Sequence, residues 1–275
     1  MSDAGQIEKF AYSGSLGRSP LLLAVLAVPL CVLWSVGYAY LDVYLPIGGV
    51  LTVFMILGYA FAVAMTVSMV GKLGKCRNPA ALKLMGLGIG VLSLYVSWVV
   101  FLHALFARNE PDAPGIIDFI TDPAMLWQGI CVVNESGWYT IKGSTPSGIF
   151  LWILWVAEAV VVVGGAWWMS GVSLENEMFC EACGKWCEVG ETTYRQPAPG
   201  LLTAPPAEIT PLQLLTLEPL PAKALPSFRA ELLQCPGCKR AGVRFARLYE
   251  VANDKGEKSQ KSDTIPGILL PPSAA

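Results

Sequence analysis

Cys180-Glu181-Ala182-Cys183 and Cys235-Pro236-Gly237-Cys238 each place two thiols at Cys-x-x-Cys spacing. Two intervening residues let one tight turn aim both sulfurs at a single ion, and two such turns supply the four ligands of a tetrahedral site. Cys187 follows closely and is an alternative ligand. Four protein thiolates leave no open coordination position, so such a metal holds a fold together and does not react. A second chemistry belongs to Glu158, the one ionisable side chain in the apolar run 143–174. An ionised acid at a bilayer centre costs about 3 kcal/mol on insertion scales, so it faces the bundle interior, pairs or stays protonated.

The elements that must position these groups are mostly apolar. Hydrophobic residues make up 54% of the 275-residue chain and charged residues 15%, against about a quarter charged in soluble domains. The runs 20–41, 43–71, 84–107 and 143–174 are each long enough for the roughly 20 residues that cross a hydrocarbon core. They place spans at 20–41, 47–71, 80–107 and 147–171, with a loop over 108–146. The first run is too long for a cleaved signal and lacks a small-x-small site. Pro29 should kink it by removing a backbone hydrogen bond. Asp42 to Gly48, with Pro46 and Gly48-Gly49, reads as the turn of a helical hairpin, and Asn78-Pro79 as the start of span three.

Loop charge sets the orientation. Lys72, Lys75, Arg77 and Lys83 join spans two and three with no acid among them, whereas Arg108 and Lys142 face Glu110, Asp112, Asp118, Asp122 and Glu135 in the 108–146 loop. Short Lys- and Arg-rich loops stay in the cytoplasm. Both termini are therefore expected there, in a bacterial inner membrane or its equivalent, and the cysteine pairs in a reducing compartment that favours metal ligation over disulfides. The outer loop carries Ile116, Ile117, Phe119, Ile120, Met125, Leu126 and Trp127, a pattern that suits a helix at the membrane interface or a cap on the bundle. Asn134-Glu135-Ser136 fits a glycosylation acceptor on that side.

Beyond Leu174 the composition turns polar, with 11 Lys or Arg and 12 Asp or Glu over 172–275. Residues 1–19 read as a polar arm, 175–264 as a cytoplasmic domain and 265–275 as a disordered tail. Eight prolines and eight leucines over 197–226 mark an insert with no long regular element, save a short turn at 211–215 capped by Thr210. Val243, Phe245, Arg247, Tyr249 and Val251 alternate as a strand, and 253–256 reads as a hairpin turn. Over about 178–251, Phe179 to Cys187 and Gln234 to Arg240 resemble the two knuckles of a zinc ribbon. That resemblance implies β-hairpins around a structural zinc. It departs in its 51 residues between Cys183 and Cys235 and in the extra Cys187. Rubredoxin-like iron, which uses the same paired knuckles, is the alternative metal, although Lys239 stands where that family has glycine. A redox dithiol is the third reading.

Around Glu158 the residues at comparable depth are Tyr59, Ser93, Tyr95 and Ser97. The structural role, interhelical glue, is favoured over a proton or cation relay. Gly86 and Gly90, with Ala60, Ala64 and Ser68, offer small-residue faces for close helix packing, in the chain or in an oligomer. Lys239, Arg240, Arg244 and Arg247 could meet an anionic partner, with a solvated face favoured over nucleic acid. There is no Ser/His/Asp set or nucleotide loop, and the single histidine, His103, lies near the outer end of span three. An enzyme is the less favoured class. The expectation is an α-helical membrane protein: a four-helix transmembrane bundle with an appended small β-rich zinc-ribbon-like cytoplasmic domain, set in lipid and binding a cytoplasmic protein. A small transporter or channel subunit, or a membrane redox protein, is the alternative.

Overall fold

The computed structural model describes residues 8–9, 12–45, 50–110, 112–138, 145–175, 177–206, 208–221, 223–252 and 257–270. Its contacts divide the chain into two units, Gly14–Glu175 and Met1–Ser13 with Asn176–Ala275.

The first unit is helical. Helices α1 (Ser19–Tyr44), α2 (Val50–Leu73), α3 (Pro79–Asn109) and α6 (Ile149–Glu175) are long and apolar enough to cross a membrane. Helix α1 contains a π-helical turn over Leu23–Ala27, directly before Val28-Pro29. A proline ring clashes with the carbonyl four residues back, and the widened turn accommodates it. Helix α3 starts where Asn78 Oδ1 accepts from the Ala81 N–H at 3.0 Å, with Pro79 in its first turn. Asp42 lies in the last turn of α1 and not in a connecting turn, while residues 46–49 of the expected turn lie outside the described residues.

The small residues set the approach of α3 to α6. A Cβ on Gly86 would collide with Ser170 and the Ala166 carbonyl, and one on Gly90 would crowd Ala166 and Val163. Ala60, Ala64 and Ser68 are buried as well, so these faces are occupied within the chain.

Between α3 and α6 the loop folds as α4 (Ile116–Thr121) and α5 (Pro123–Ser136), the latter capped by Asp122 Oδ1 at 2.9 and 3.1 Å from the Ala124 and Met125 N–H groups. Phe119, Leu126, Ile130 and Val133 bury against Val99 and Leu102 of α3. The loop therefore packs on the bundle as a cap, while Ile117, Ile120 and Trp127 stay exposed. Asn134 is buried in α5 and its Nδ2 donates to the Gly148 carbonyl at 2.9 Å. The folded helix thus does not present this amide to solvent as an acceptor. Residues 14–19 are not a free arm either: the Arg18 N–H donates to the Gly74 carbonyl and the Arg77 N–H to the Ser15 carbonyl, both at 2.7 Å.

The second unit is built on a six-stranded antiparallel sheet in the order β1-β8-β7-β6-β4-β5. Its strands are β1 (Glu8–Lys9), β4 (Glu188–Arg195), β5 (Pro219–Leu220), β6 (Ser227–Gln234), β7 (Ala241–Ala252) and β8 (Lys258–Leu269), with a separate hairpin of β2 (Phe179–Cys180) and β3 (Lys185–Trp186). The expected strand at 243–251 lies within β7. The expected turn at 253–256 lies outside the described residues, as do 271–275. The tail expected to be disordered from residue 265 is instead β8 as far as Leu269, because Ile265 and Ile268 are fully buried in the core with Phe228 and Phe245. Strand β1 pairs Glu8 with Leu269 and Lys9 with Ile268, so this part of the arm is also sheet.

The proline-rich insert forms two short helices, α7 (Pro199–Thr203) and α8 (Pro211–Leu215). Leu214 and Ile209 bury on the face that carries Phe228 and Phe245. Arg247 on that same face donates to the carbonyls of Leu202 at 2.7 Å and Ala204 at 2.8 Å and pairs with Asp263. One guanidinium thus pins the insert to the sheet.

Candidate metal centre

The two cysteine pairs sit on two hairpins that end in the same way. In the first, the Gly184 N–H donates to the Cys180 carbonyl at 2.8 Å; in the second, the Lys239 N–H donates to the Cys235 carbonyl at 3.0 Å. Gly184 and Lys239, each directly after the second cysteine of its pair, both take positive φ, 60° and 61°. This left-handed residue closes the turn and is natural for glycine but costs a lysine about 1 kcal/mol or more. The strands β2–β3 and β6–β7 hold the turns, with Cys180 opposite Lys185 and Gln234 opposite Ala241.

The result is convergence. One sulfur from each of Cys180, Cys183, Cys235 and Cys238 lies within 4.8 Å of the other three, and Cys180 Sγ stands 3.6 Å from Cys238 Sγ. Tetrahedral zinc with bonds near 2.3 Å needs sulfurs about 3.8 Å apart. The donor set fits: four soft ligands, two turns and no competing carboxylate in the group. Gly237 leaves the space, since a Cβ there would press on Cys183 Sγ. Its N–H points at Cys235 Sγ at 3.4 Å.

The electrostatics show why the group wants a cation. Backbone N–H groups of Cys238 and then Gly237 hold the Cys235 thiol down at about 6. Hydrogen bonding with Cys238 and Cys235 pushes Cys183 up to about 12, and burial raises Cys180. One thiolate forms readily and its neighbours then resist ionisation; a divalent metal removes that conflict.

Cys187 stands outside the set of four. It is buried beside Met178 and Leu233, and burial pushes its thiol up to about 11. The basic group does not assemble as one patch. Arg244 pairs with Glu231, its Nε 2.8 Å from Oε2, and Arg247 is committed to Asp263 and the insert.

Glu158 lies in α6, two residues before a π-helical turn over Val160–Gly164. Its Oε1 accepts from Tyr38 Oη at 2.7 Å. None of the four residues named at its depth donates this bond. Tyr59 stacks on Tyr38 with ring centroids 4.5 Å apart and donates to the Ser93 carbonyl at 2.9 Å. Tyr95 reaches the Ile120 carbonyl at 3.0 Å. Ser97 alone of the four lines the cavity at Glu158, with Tyr38, Ala39, Asp42, Trp98, Phe101 and Trp155. Tyr38 and Asp42 were the residues missed. Their spacing of four on one helix face was the available signal, hidden because Asp42 read as a turn residue.

The chain matches no family model, and no curated protein or solved structure is similar to it at a significant level.

Proposed function

We propose that this chain is an integral membrane protein whose tail folds around a structural zinc ion and presents a sheet domain to a cytoplasmic protein partner. The observation that carries this reading is the convergence of four thiols from two turns 51 residues apart in sequence. Membrane insertion is supported by four apolar helices. The orientation, both termini and the tail in the cytoplasm of a bacterial inner membrane or its equivalent, is supported by the basic 72–83 and acidic 108–142 segments. Zinc is favoured over iron because a closed four-thiolate site suits a structural ion and because Lys239 stands where rubredoxin-like knuckles have glycine. The tail also offers a concave surface, a cleft of about 300 Å³ lined by Leu202, Leu225, Pro226, Tyr249 and Glu250.

Elemental analysis of the purified full chain should give one zinc per protein, lost in Cys183→Ser and in Cys238→Ser and kept in Cys187→Ser. A visible thiolate-to-iron absorption band would replace zinc by iron. Partner capture by the full chain should be lost with the metal; capture that survives chelation would sink the link between metal and binding. A second reading, a small transporter or channel subunit, draws on the polar cavity at Glu158.

A further inference from the structure

The two edges of the tail sheet are finished in different ways. On one side β8 carries Lys258 and Lys261, and β1 pairs with its Ile268 and Leu269. Lysines on an edge deter a further strand. On the other side β4 is paired outward only at Tyr194 and Arg195, by the short strand β5. From Glu188 to Thr193, about 20 Å of strand, its outer edge meets no strand among the described residues. This stretch holds no lysine and no proline, the residues that natural edges use to turn a neighbour away. Glu188, Val189, Gly190, Glu191 and Thr192 are all exposed, Val189 at 54%.

The backbone there is set to receive a strand. The Gln196 N–H donates to the Glu218 carbonyl at 2.9 Å, on the β5 side. In an antiparallel ladder successive residues turn their N–H and C=O groups to opposite sides, so Tyr194 and Thr192 face outward as well. Tyr194 stands opposite Leu220 of β5, whereas Thr192 stands opposite no described residue on that side. A bulge sets Gly190 and Glu191 against Leu232 alone; it bends the strand locally and leaves Thr192, beyond it, in the same ladder as β5. The thiolate centre anchors the start of this edge. Glu188 directly follows Cys187 and pairs with Gln234, which directly precedes Cys235.

Charge selects the occupant. Among the described residues no cation pairs with Glu188 or Glu191. Two β4 edges laid together would set these glutamates against each other, and like charges directly opposite destabilise. The β8 edge of a second copy would bring lysines, but Lys258 is held 3.4 Å from Glu250 and Lys223 holds Gln260 at 3.0 Å. A head-to-tail pairing of translated copies also grows without closing. A foreign strand with Lys or Arg opposite the glutamates, and an apolar or β-branched residue beside Val189, satisfies backbone and side chains together. We infer that the outer edge of β4, Glu188 to Thr193, adds an extended basic segment of the cytoplasmic protein partner as a further strand. This gives the partner a surface and a chemistry, and it rests on the reading that the tail binds such a protein.

The test uses the full-length, zinc-loaded protein in nanodiscs of phosphatidylcholine, a lipid with no net charge to attract a basic probe. The probe is a short fluorescein-labelled peptide alternating lysine with valine and threonine, read by fluorescence anisotropy. Saturable binding is expected. It should weaken about 10-fold or more when alternate peptide nitrogens are methylated, which keeps the charge and removes the strand's donors. Thr192→Pro, which removes an outward N–H and none of the ladder to β6, should cost as much. Glu188→Gln with Glu191→Gln should weaken binding about 3-fold, and Glu208→Gln, an exposed acid elsewhere in the tail, should change nothing. No saturable binding, equal binding of the methylated peptide, or full binding by a folded Thr192→Pro overturns the site. Should Thr192→Pro lose its zinc or its sheet signal, Val189→Lys decides: it keeps every backbone donor and sets a cation on the edge. Weaker binding then supports the site, and unchanged binding overturns it. Self-association that Thr192→Pro abolishes gives the edge to a second copy and overturns the basic occupant. Capture of a cytoplasmic protein is measured separately. Capture kept by a folded Thr192→Pro leaves the partner reading and overturns the edge, while peptide binding without capture removes the partner reading and leaves the edge.

Discussion

The thiolate centre and the carboxylate cavity both gather like charges that repel one another, and they do so by opposite means. At the centre, tight turns bring backbone N–H groups to the sulfurs, so the fold prepares for charge before any metal arrives. In the cavity, rigid helices deliver two acids with a single phenol as donor. Turns expose backbone donors to a ligand, while a helix interior has used its own. The centre can thus be built from short local segments. The cavity depends on how three helices pack.

The comparison breaks first at the metal. Structural zinc contributes about 10–16 kcal/mol to a small domain, so replacing Cys183 and Cys238 together by serine should remove most of the tail's stability. The β-sheet signal in circular dichroism should melt at far lower temperature, as it should after chelation, while the helical signal persists. Helix and sheet melting together would show that the two regions are not independent.

A smaller effect tests the tail apart from its metal. Arg247 bonds carbonyls of the insert and pairs with Asp263, and its side chain is 11% exposed. Asp263 is more exposed, so the pair is only partly buried, and losing these charge-assisted hydrogen bonds costs about 2 kcal/mol. Arg247→Ala should therefore open 197–206 to proteolysis while zinc content stays at one per chain. Zinc loss in that variant would place the insert in the support of the centre.

The difference between the regions also explains what the sequence disclosed. The Cys-x-x-Cys pairs were legible because a knuckle is written within four residues, and the apolar runs because membrane thickness demands a fixed length. The extension of the sheet to Leu269 was hidden by the Pro-rich end of the chain, although Ile265 and Ile268 sit at the alternate-face positions of a strand with one irregularity opposite β7. The partners of the basic residues were not legible, because charge in sequence says nothing of pairing across strands: Glu231 faces Arg244 in the register of β6 and β7. Asp42 escaped because the helix runs on to Tyr44 with Leu45 as its cap, so the turn begins later than the reading from Asp42 placed it.

The smallest expected effect is the sharpest test of the cavity. Tyr38→Phe removes the one described donor to Glu158 and keeps the ring that stacks on Tyr59. Hydrogen bonds between membrane helices contribute about 0.6 kcal/mol on average and about 1.7 at most. If the bond is glue, unfolding of the variant in lipid should shift by that amount. No shift would show that the ring of Tyr38, and not its hydroxyl, holds this contact. The comparison with the thiolate centre would then rest on donors in one region alone, the N–H groups of its turns.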